Sequence, residues 1–186
     1  MSSLQKETLV AEPEGAANHK MGGSIVGRRA ELLANRIEEG AAGLAAFAEG
    51  LSDAEWRTPM SAKDRRTVGA IVHHVASMYP IEVGLARAVA GGNAAPEVTW
   101  ELVADINAKH VQEHGGVTKA AALELLRRNS AEAAAAVGAF TDQELDGSAP
   151  IGLSFGAPVT AQFIIEDHAL RHSWHHLAGI RRALGL

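Results

Sequence analysis

The sequence predicts an all-α fold, a four-helix bundle with one extra short helix. Alanine supplies about a fifth of the 186 residues while aromatic residues make up only 4%. This balance favours closely packed helices over a sheet of β-branched and aromatic side chains. Apolar residues also recur at helical spacing through long segments that end at glycine or proline. Because a chain of this length corresponds to about one domain, we expect these helices to share one core.

Residues 1–26 differ from the rest of the chain in composition. They are rich in glycine, serine and charged residues, so they carry too little apolar surface to offset the entropy of ordering. We expect a flexible N-terminal arm here and a bundle domain over residues 27–186. The arm lacks the apolar centre of a signal peptide, and nowhere do about 18 apolar residues run uninterrupted. We therefore expect a cytoplasmic protein with no membrane partner.

The first two long helices are predicted from spacing and from their ends. Apolar side chains recur at helical spacing over residues 28–48, before a glycine. A second helix is predicted to begin after Thr67, a suitable N-cap, and to end near Gly91. Pro80 lies inside it. Because proline removes one helical hydrogen bond, we expect either a kink there or a helix that ends near Met78.

Three further helices are predicted in the second half of the chain. A shorter helix covers residues 98–114 and ends at a pair of glycines, and a longer one covers residues 118–140. Glycines and prolines predict a long loop over residues 146–158, after which the last helix runs from about 159 to 184. Connections of this length allow a bundle that is not wound simply up and down.

Histidines are concentrated on the second and last of the long helices. His168, His172 and His176 are four residues apart, so they form one stripe on a face that also carries apolar residues. Two imidazoles at this spacing can bind one divalent metal ion. His168 and His176 are separated by about 12 Å along the helix axis, so only one adjacent pair can share an ion. His172 belongs to both pairs.

A third ligand is predicted on the second helix. His74 lies within an apolar stripe, whereas His73 is rotated about 100° away from it. We expect His74 to join His172 and either His176 or His168 in a site that leaves coordination positions for water or substrate. A single histidine on an apolar face is more often a hydrogen-bonded core residue. A cluster of them lacks sufficient polar partners unless something binds the imidazoles.

Another pair of histidines, His110 and His114, lies on the shorter helix. Their neighbours include Lys109 and Gln112, which are polar and favour a solvent-facing surface. A role for Asn107 or His110 in lining a pocket is the weaker alternative.

Composition and missing motifs exclude several other functions. The chain has no cysteine, which excludes disulfides, cysteine-ligated metal sites and catalysis by a thiolate of its own. Its net charge is -5 and its basic clusters are no longer than arginine pairs, so we expect no nucleic-acid partner. The motifs of zincin metalloproteases, P-loop proteins and α/β-hydrolases are missing. We expect a small-molecule substrate.

Two segments together resemble a known family. They are VGAIVHHV at residues 68–75 and HSWHHLAGI at residues 172–180, and they resemble the DinB superfamily of bacterial four-helix-bundle metalloenzymes. The resemblance covers about residues 28–184. In that family, a histidine on the second helix and the first and last histidines of an H-x-x-H-H motif bind a divalent metal ion, commonly zinc or nickel. The resemblance therefore implies His74, His172 and His176 as the metal ligands.

The same resemblance suggests the type of chemistry. It implies a hydrolase, or a transferase or isomerase that uses a low-molecular-weight thiol such as mycothiol or bacillithiol. Sequence proximity makes His168, Asp167 and Glu166 candidates for orienting groups or a proton shuttle, and His175 a candidate neighbour of the ligands. The alternative is a noncatalytic metal-binding or stress-response module with a structural histidine site. Alanine-rich helix faces are compatible with a homodimer.

Overall fold

The computed structural model describes residues 27–186, so the predicted N-terminal arm, residues 1–26, lies outside the described residues. Most of this part of the chain is helical, which confirms the predicted all-α class. The helices are α1 (Arg28–Glu49), α2 (Asp53–Trp56), α3 (Val68–Ala90), α4 (Trp100–His114), α5 (Lys119–Gly138), α6 (Asp142–Asp146), α7 (Ala161–Ile164) and α8 (Arg171–Leu184).

The last bundle member is an unbroken helical run made of three pieces. Between α7 and α8, residues Ile165–Leu170 form a π-helical segment whose flanking residues keep right-handed helical dihedral angles. In such a segment the backbone hydrogen bonds join residue i to residue i+5 instead of i+4. We call α7, the π segment and α8 together the C-terminal run.

Threonine caps explain where the helices begin. The side chain of each capping threonine accepts a hydrogen bond from a backbone N–H in the first turn, which satisfies a donor that has no partner within the helix. This confirms the cap predicted at Thr67 before α3, and the helix predicted to begin at residue 118 is capped by Thr118. The five threonine caps are Thr67, Thr99, Thr118, Thr141 and Thr160.

Helix α3 continues through Pro80 and ends before Gly91, so the predicted end near Gly91 is confirmed and the alternative end near Met78 is wrong. Pro80 cannot donate to the carbonyl of Ala76, four residues earlier. The side-chain amide of Asn129 on α5 donates to that carbonyl instead, at 2.8 Å. A neighbouring helix thus replaces the bond that proline removes, and the buried face of α3 stays continuous on both sides of it.

Four long members form the bundle. Helix α5 packs against both α1 and α3, and the C-terminal run also packs against both. Helices α1 and α3 therefore lie diagonally opposite each other, so the connection between them crosses the end of the bundle. This arrangement confirms that the winding is not simply up and down. The core between the members includes Ile37, Ile71, Tyr79, Leu126 and Ile180, each at most 1% exposed.

Helix α4 is the extra short helix, and it lies on the outside of the bundle against α3. It begins after Thr99, close to the predicted start, and ends at His114 as predicted. None of its residues is fully buried. Helix α4 is therefore attached by one partly covered face.

Several short elements of the described residues were not predicted. The predicted loop over residues 146–158 contains a small antiparallel hairpin of β1 (Ser148–Pro150) and β2 (Pro158–Thr160), with Ala149 opposite Val159. Strands of three residues are too short to show an alternating pattern. Helices α2 and α6 each begin with a capping box, which is a recognisable sequence pattern. Among the described residues, no helix has both the length and the apolar character needed to span a membrane.

Candidate metal centre

The site begins with His74 on the buried face of α3. This side chain is only 6% exposed and lies among apolar core residues, as its place in an apolar stripe predicts. The C-terminal run is fixed against α3 by a buried hydrogen bond of 2.7 Å between the hydroxyls of Tyr79 and Ser173. Ser173 is followed one turn later by Leu177, and both are buried. The adjacent histidines on α8 therefore face α3.

The structure brings His74, His172 and His176 together, and we call these three the first triad. One ring nitrogen from each lies within 4.8 Å of the others. The ring centroids are 4.8 Å apart for His172 and His176, 5.0 Å for His74 and His172, and 5.5 Å for His74 and His176. Of the two alternatives that spacing left open, His176 is in this group and His168 is not.

One pair of nitrogens in the first triad has the spacing of metal ligands. Ligands held at about 2.0–2.1 Å from a tetrahedral ion lie about 3.3 Å from one another. The Nε2 atoms of His74 and His172 are 3.2 Å apart. The residues present therefore fit a divalent transition metal ion that imidazole nitrogens bind.

Glu82 holds His172 in place, and sequence analysis missed it. The His172 Nδ1 atom lies 2.6 Å from Glu82 Oε1, and Glu82 is 6% exposed. Because an ionised carboxylate only accepts hydrogen bonds, Nδ1 carries the proton and the Nε2 lone pair is free to bind a metal. Glu82 lies eight residues after His74, two turns along the same helix face, and that spacing is a signal that could have found it.

Burial keeps two of the imidazoles neutral. Burial, with a smaller contribution from His172, lowers the pKa of His74 from 6.5 to about 3. The same two causes lower the pKa of His176 to about 2. Neutral imidazole is the form that binds a metal ion, so both rings are ready to act as ligands at neutral pH.

The first triad lies between two cavities. His74 and His172 line a cavity of about 270 Å³ whose walls come mainly from α3, α4 and the C-terminal run. His176 lines another cavity, of about 320 Å³, bordered by Arg66 and Arg182. The first cavity is mostly apolar, with walls formed by Met78, Ile81, Leu85, Val98, Trp100, Leu102, Val103, Ile106 and Leu153.

Two buried oxygen atoms at this apolar cavity have no hydrogen-bond partner among residues 27–186. They are Glu82 Oε2 and Asn107 Oδ1, and both residues line the cavity. The weaker sequence-based alternative for Asn107, a pocket-lining role, thus agrees with the structure. A buried acceptor without a partner is energetically costly, so a bound molecule with N–H or O–H groups would satisfy both atoms.

The other predicted neighbours of the ligands lie around this cavity. His168, Asp167 and His175 line it. His168 Nε2 is 3.9 Å from Asp167 Oδ2, and Asp167 also pairs with Arg171 at 3.1 Å. His168 belongs to the π-helical segment, in which a turn takes more residues than in an α-helix. The step of four residues from His168 to His172 is therefore not a regular α-helical turn.

Two of the candidates, His175 and Glu166, are more exposed than the others. The ring of His175 lies next to that of His176, with 5.1 Å between the ring centroids, and it is on the exposed side of α8. Glu166 is exposed, and its carboxylate accepts a hydrogen bond from Gln162 at 2.9 Å. The hydrogen bond that His172 Nδ1 donates to Glu82 Oε1 is the contact through which a carboxylate orients a member of the first triad.

The prediction that His110 and His114 form a solvent-facing surface is wrong. Both pack against His73 on α3, and one ring nitrogen from each of these three histidines lies within 4.8 Å of the others. We call them the second triad. The error came from the flanking residues, because Lys109 and Glu113 are exposed while His110 and His114, on another side of α4, are partly buried.

Comparisons with known proteins agree with this fold. The chain resembles YfiT from Bacillus subtilis, with 18% identity, a TM-score of 0.68 and coverage of 95% of this chain and 94% of that one. YfiT is described as a probable metal-dependent hydrolase with an unusual four-helix bundle topology. No curated protein matches the chain significantly. The family model of the DinB superfamily matches residues 36–180, most of the described chain, and the chain therefore belongs to the DinB superfamily.

Proposed function

We propose that this protein is a metal-dependent hydrolase of small, largely apolar molecules. Its divalent ion, zinc or nickel, would be held by His74, His172 and His176. The observation that carries the proposal is that three imidazoles, one of them oriented by a buried carboxylate, converge at the edge of an apolar cavity. The description of YfiT as a probable metal-dependent hydrolase supports the reaction class.

The donor set favours a catalytic over a structural site. A structural zinc site has four protein ligands, whereas a catalytic one has three and keeps a position open. Three histidines form this group, and the nearby carboxylate oxygen Glu82 Oε1 is already engaged by His172 Nδ1. When bound, a divalent ion supplies Lewis-acid activation of water or of a carbonyl group near neutral pH.

The protein's own residues would bind and orient the substrate. The apolar walls contributed by α4, such as Val103 and Ile106, exclude water from one side. Asn107 Oδ1 offers an unpaired acceptor to a donor group of the substrate. Glu82 Oε2 offers a second acceptor, while Oε1 of the same carboxylate holds His172 in its ligand tautomer. These features favour amides and esters with an apolar body and at least one N–H or O–H group.

The experiment combines metal analysis with a substrate series. Wild type, His172→Ala and His175→Ala proteins are purified without a tag, and their metal content is measured. We expect His172→Ala to lose one equivalent relative to wild type, and His175→Ala, the matched control on the same helix, to lose none. Unchanged metal content in His172→Ala would contradict the proposed ligand set.

Turnover is then measured on ester and amide substrates of increasing apolar size, with and without a low-molecular-weight thiol. We expect hydrolysis that stops on chelation and returns with zinc or nickel. Turnover that appears only in the presence of the thiol would indicate that the reaction is thiol transfer and not hydrolysis. Hydrolysis that survives complete chelation would contradict a metal-dependent reaction.

A further inference from the structure

In the second triad, His73 with His110 and His114, one ring nitrogen from each residue lies within 4.8 Å of the others, as in the first triad. His73 Nδ1 lies 2.8 Å from His110 Nε2. The ring of His114 lies 4.2 Å from that of His73 and 4.9 Å from that of His110, measured between centroids. A single hydrogen bond between two imidazoles does not explain why three rings from two helices converge.

The three residues come from two helices, and the two on α4 have a spacing that suits one ion. His110 and His114 are four residues apart on α4, so their rings lie on one face, one turn from each other. His73 faces them from α3. It does so because it is rotated about 100° from His74, which points into the bundle.

The two triads are neighbours but share no residue. The rings of His74 and His110 lie 5.4 Å apart in edge contact, and this contact joins the two groups. The first triad lies between α3 and the C-terminal run, and the second between α3 and α4. The loss of one group of ligands therefore leaves the other complete.

We propose that His73, His110 and His114 bind a second divalent transition metal ion, which clips α4 to α3. Three imidazoles and no carboxylate among the ligands favour zinc, nickel or copper over magnesium or calcium. This site is separate from the one in the proposed function and does not depend on it.

The position of α4 gives this second ion a structural consequence. No residue of α4 is fully buried, so few apolar contacts hold the helix on the bundle. Its N-terminal half, including Trp100, Val103 and Ile106, forms one wall of the apolar cavity. An ion bound near the other end of α4 would therefore hold that wall in place.

The test is a zinc titration of metal-free protein by calorimetry, checked by elemental analysis after dialysis. Wild type is expected to bind two equivalents, and the control Lys109→Ala, an exposed position on α4, is also expected to bind two. His114→Ala should bind one equivalent, and its affinity for a second zinc ion should be at least about 100-fold weaker than in wild type. This loss is larger than the one caused by removing a residue that only hydrogen-bonds to a metal ligand. His114 is suited to this test because its side chain is 39% exposed, so its removal leaves the core intact.

Two further variants separate this site from the first triad. His172→Ala should also bind one equivalent, and the double variant none. If His114→Ala binds as much zinc as wild type, the second site is overturned. If instead His172→Ala retains both equivalents, the first triad is wrong and the second stands.

Hydrogen exchange gives a readout that does not depend on activity. Zinc should slow amide exchange over residues 100–114 in wild type and in His172→Ala, since the clip on α4 is intact in both. It should have no such effect in His114→Ala. Equal slowing in His114→Ala would contradict a clip at this position.

Discussion

His172 on the C-terminal run donates a hydrogen bond from Nδ1 to Glu82 Oε1 on α3, across 2.6 Å. The two residues are 90 positions apart in the chain, and both are largely shielded from solvent. This contact links a candidate metal ligand to a carboxylate that sets its tautomer. Metal-ligating histidines commonly have such a partner.

Removal of Glu82 should weaken metal binding at the first triad. In a His114→Ala background, which leaves one site to titrate, Glu82→Ala should raise the Kd for zinc by about 10- to 100-fold. Glu82→Gln should lose less zinc affinity, because the amide oxygen of glutamine still accepts a hydrogen bond from His172 Nδ1. Competition with a chromogenic chelator measures both. An unchanged Kd in Glu82→Ala would show that His172 needs no carboxylate partner.

The stability of the metal-free protein should fall as the pH is lowered below about 6.5. The pKa values of His74 and His176 are about 3 and about 2 in the folded protein, against 6.5 for an unperturbed histidine. Between these values the unfolded chain binds more protons than the folded chain, so the free energy of unfolding rises with pH. This contribution is complete above about pH 6.5.

Urea unfolding at several pH values measures this dependence. His74→Gln, which removes one of the two buried imidazoles, should show a shallower pH dependence than wild type. The same slope in both proteins would mean that His74 is not the group responsible.

The side chain of Asn129 should stabilise the helix around Pro80. Asn129→Ala leaves the carbonyl of Ala76 without its side-chain donor, which should destabilise the protein by about 1–3 kcal/mol. In a Pro80→Ala background the loss should be smaller, because residue 80 regains an N–H for that carbonyl. A double-mutant cycle by urea unfolding measures the difference. Equal losses in the two backgrounds would mean that Asn129 does not compensate for the proline.

Replacement of two glycines in α3 by alanine should have opposite effects on the stability of the protein. A Cβ at Gly69 would overlap the ring of Trp56, and Trp56 is held by a hydrogen bond to the Val117 carbonyl. Gly69→Ala should therefore destabilise the protein by about 1–3 kcal/mol. Gly84 is exposed with nothing within 4 Å of a Cβ, so Gly84→Ala should stabilise it by about 0.5–1 kcal/mol. Thermal unfolding of both variants checks the pair, and a stable Gly69→Ala would contradict the close packing.

Much of the fold was predictable because helical periodicity and capping are local properties. The starts of α3 and α5 were predicted at Thr67 and Thr118 since a threonine cap acts within one turn. The hairpin was missed because a strand such as β1 has too few residues to show a period. The sequence also left open whether α3 continues through Pro80, because the donor that replaces the lost hydrogen bond lies on another helix.

By itself, the sequence determined which residues share a helix face, and so placed His74 on the inner stripe of α3 and His172 one turn before His176. That these residues bind a metal stays a prediction. Only the tertiary structure decided which faces meet: that Glu82 contacts His172, and that His73 faces His110 and His114. The physical reason is that side-chain direction repeats with the local turn of the helix, whereas the partner across a helix interface depends on how the whole bundle packs.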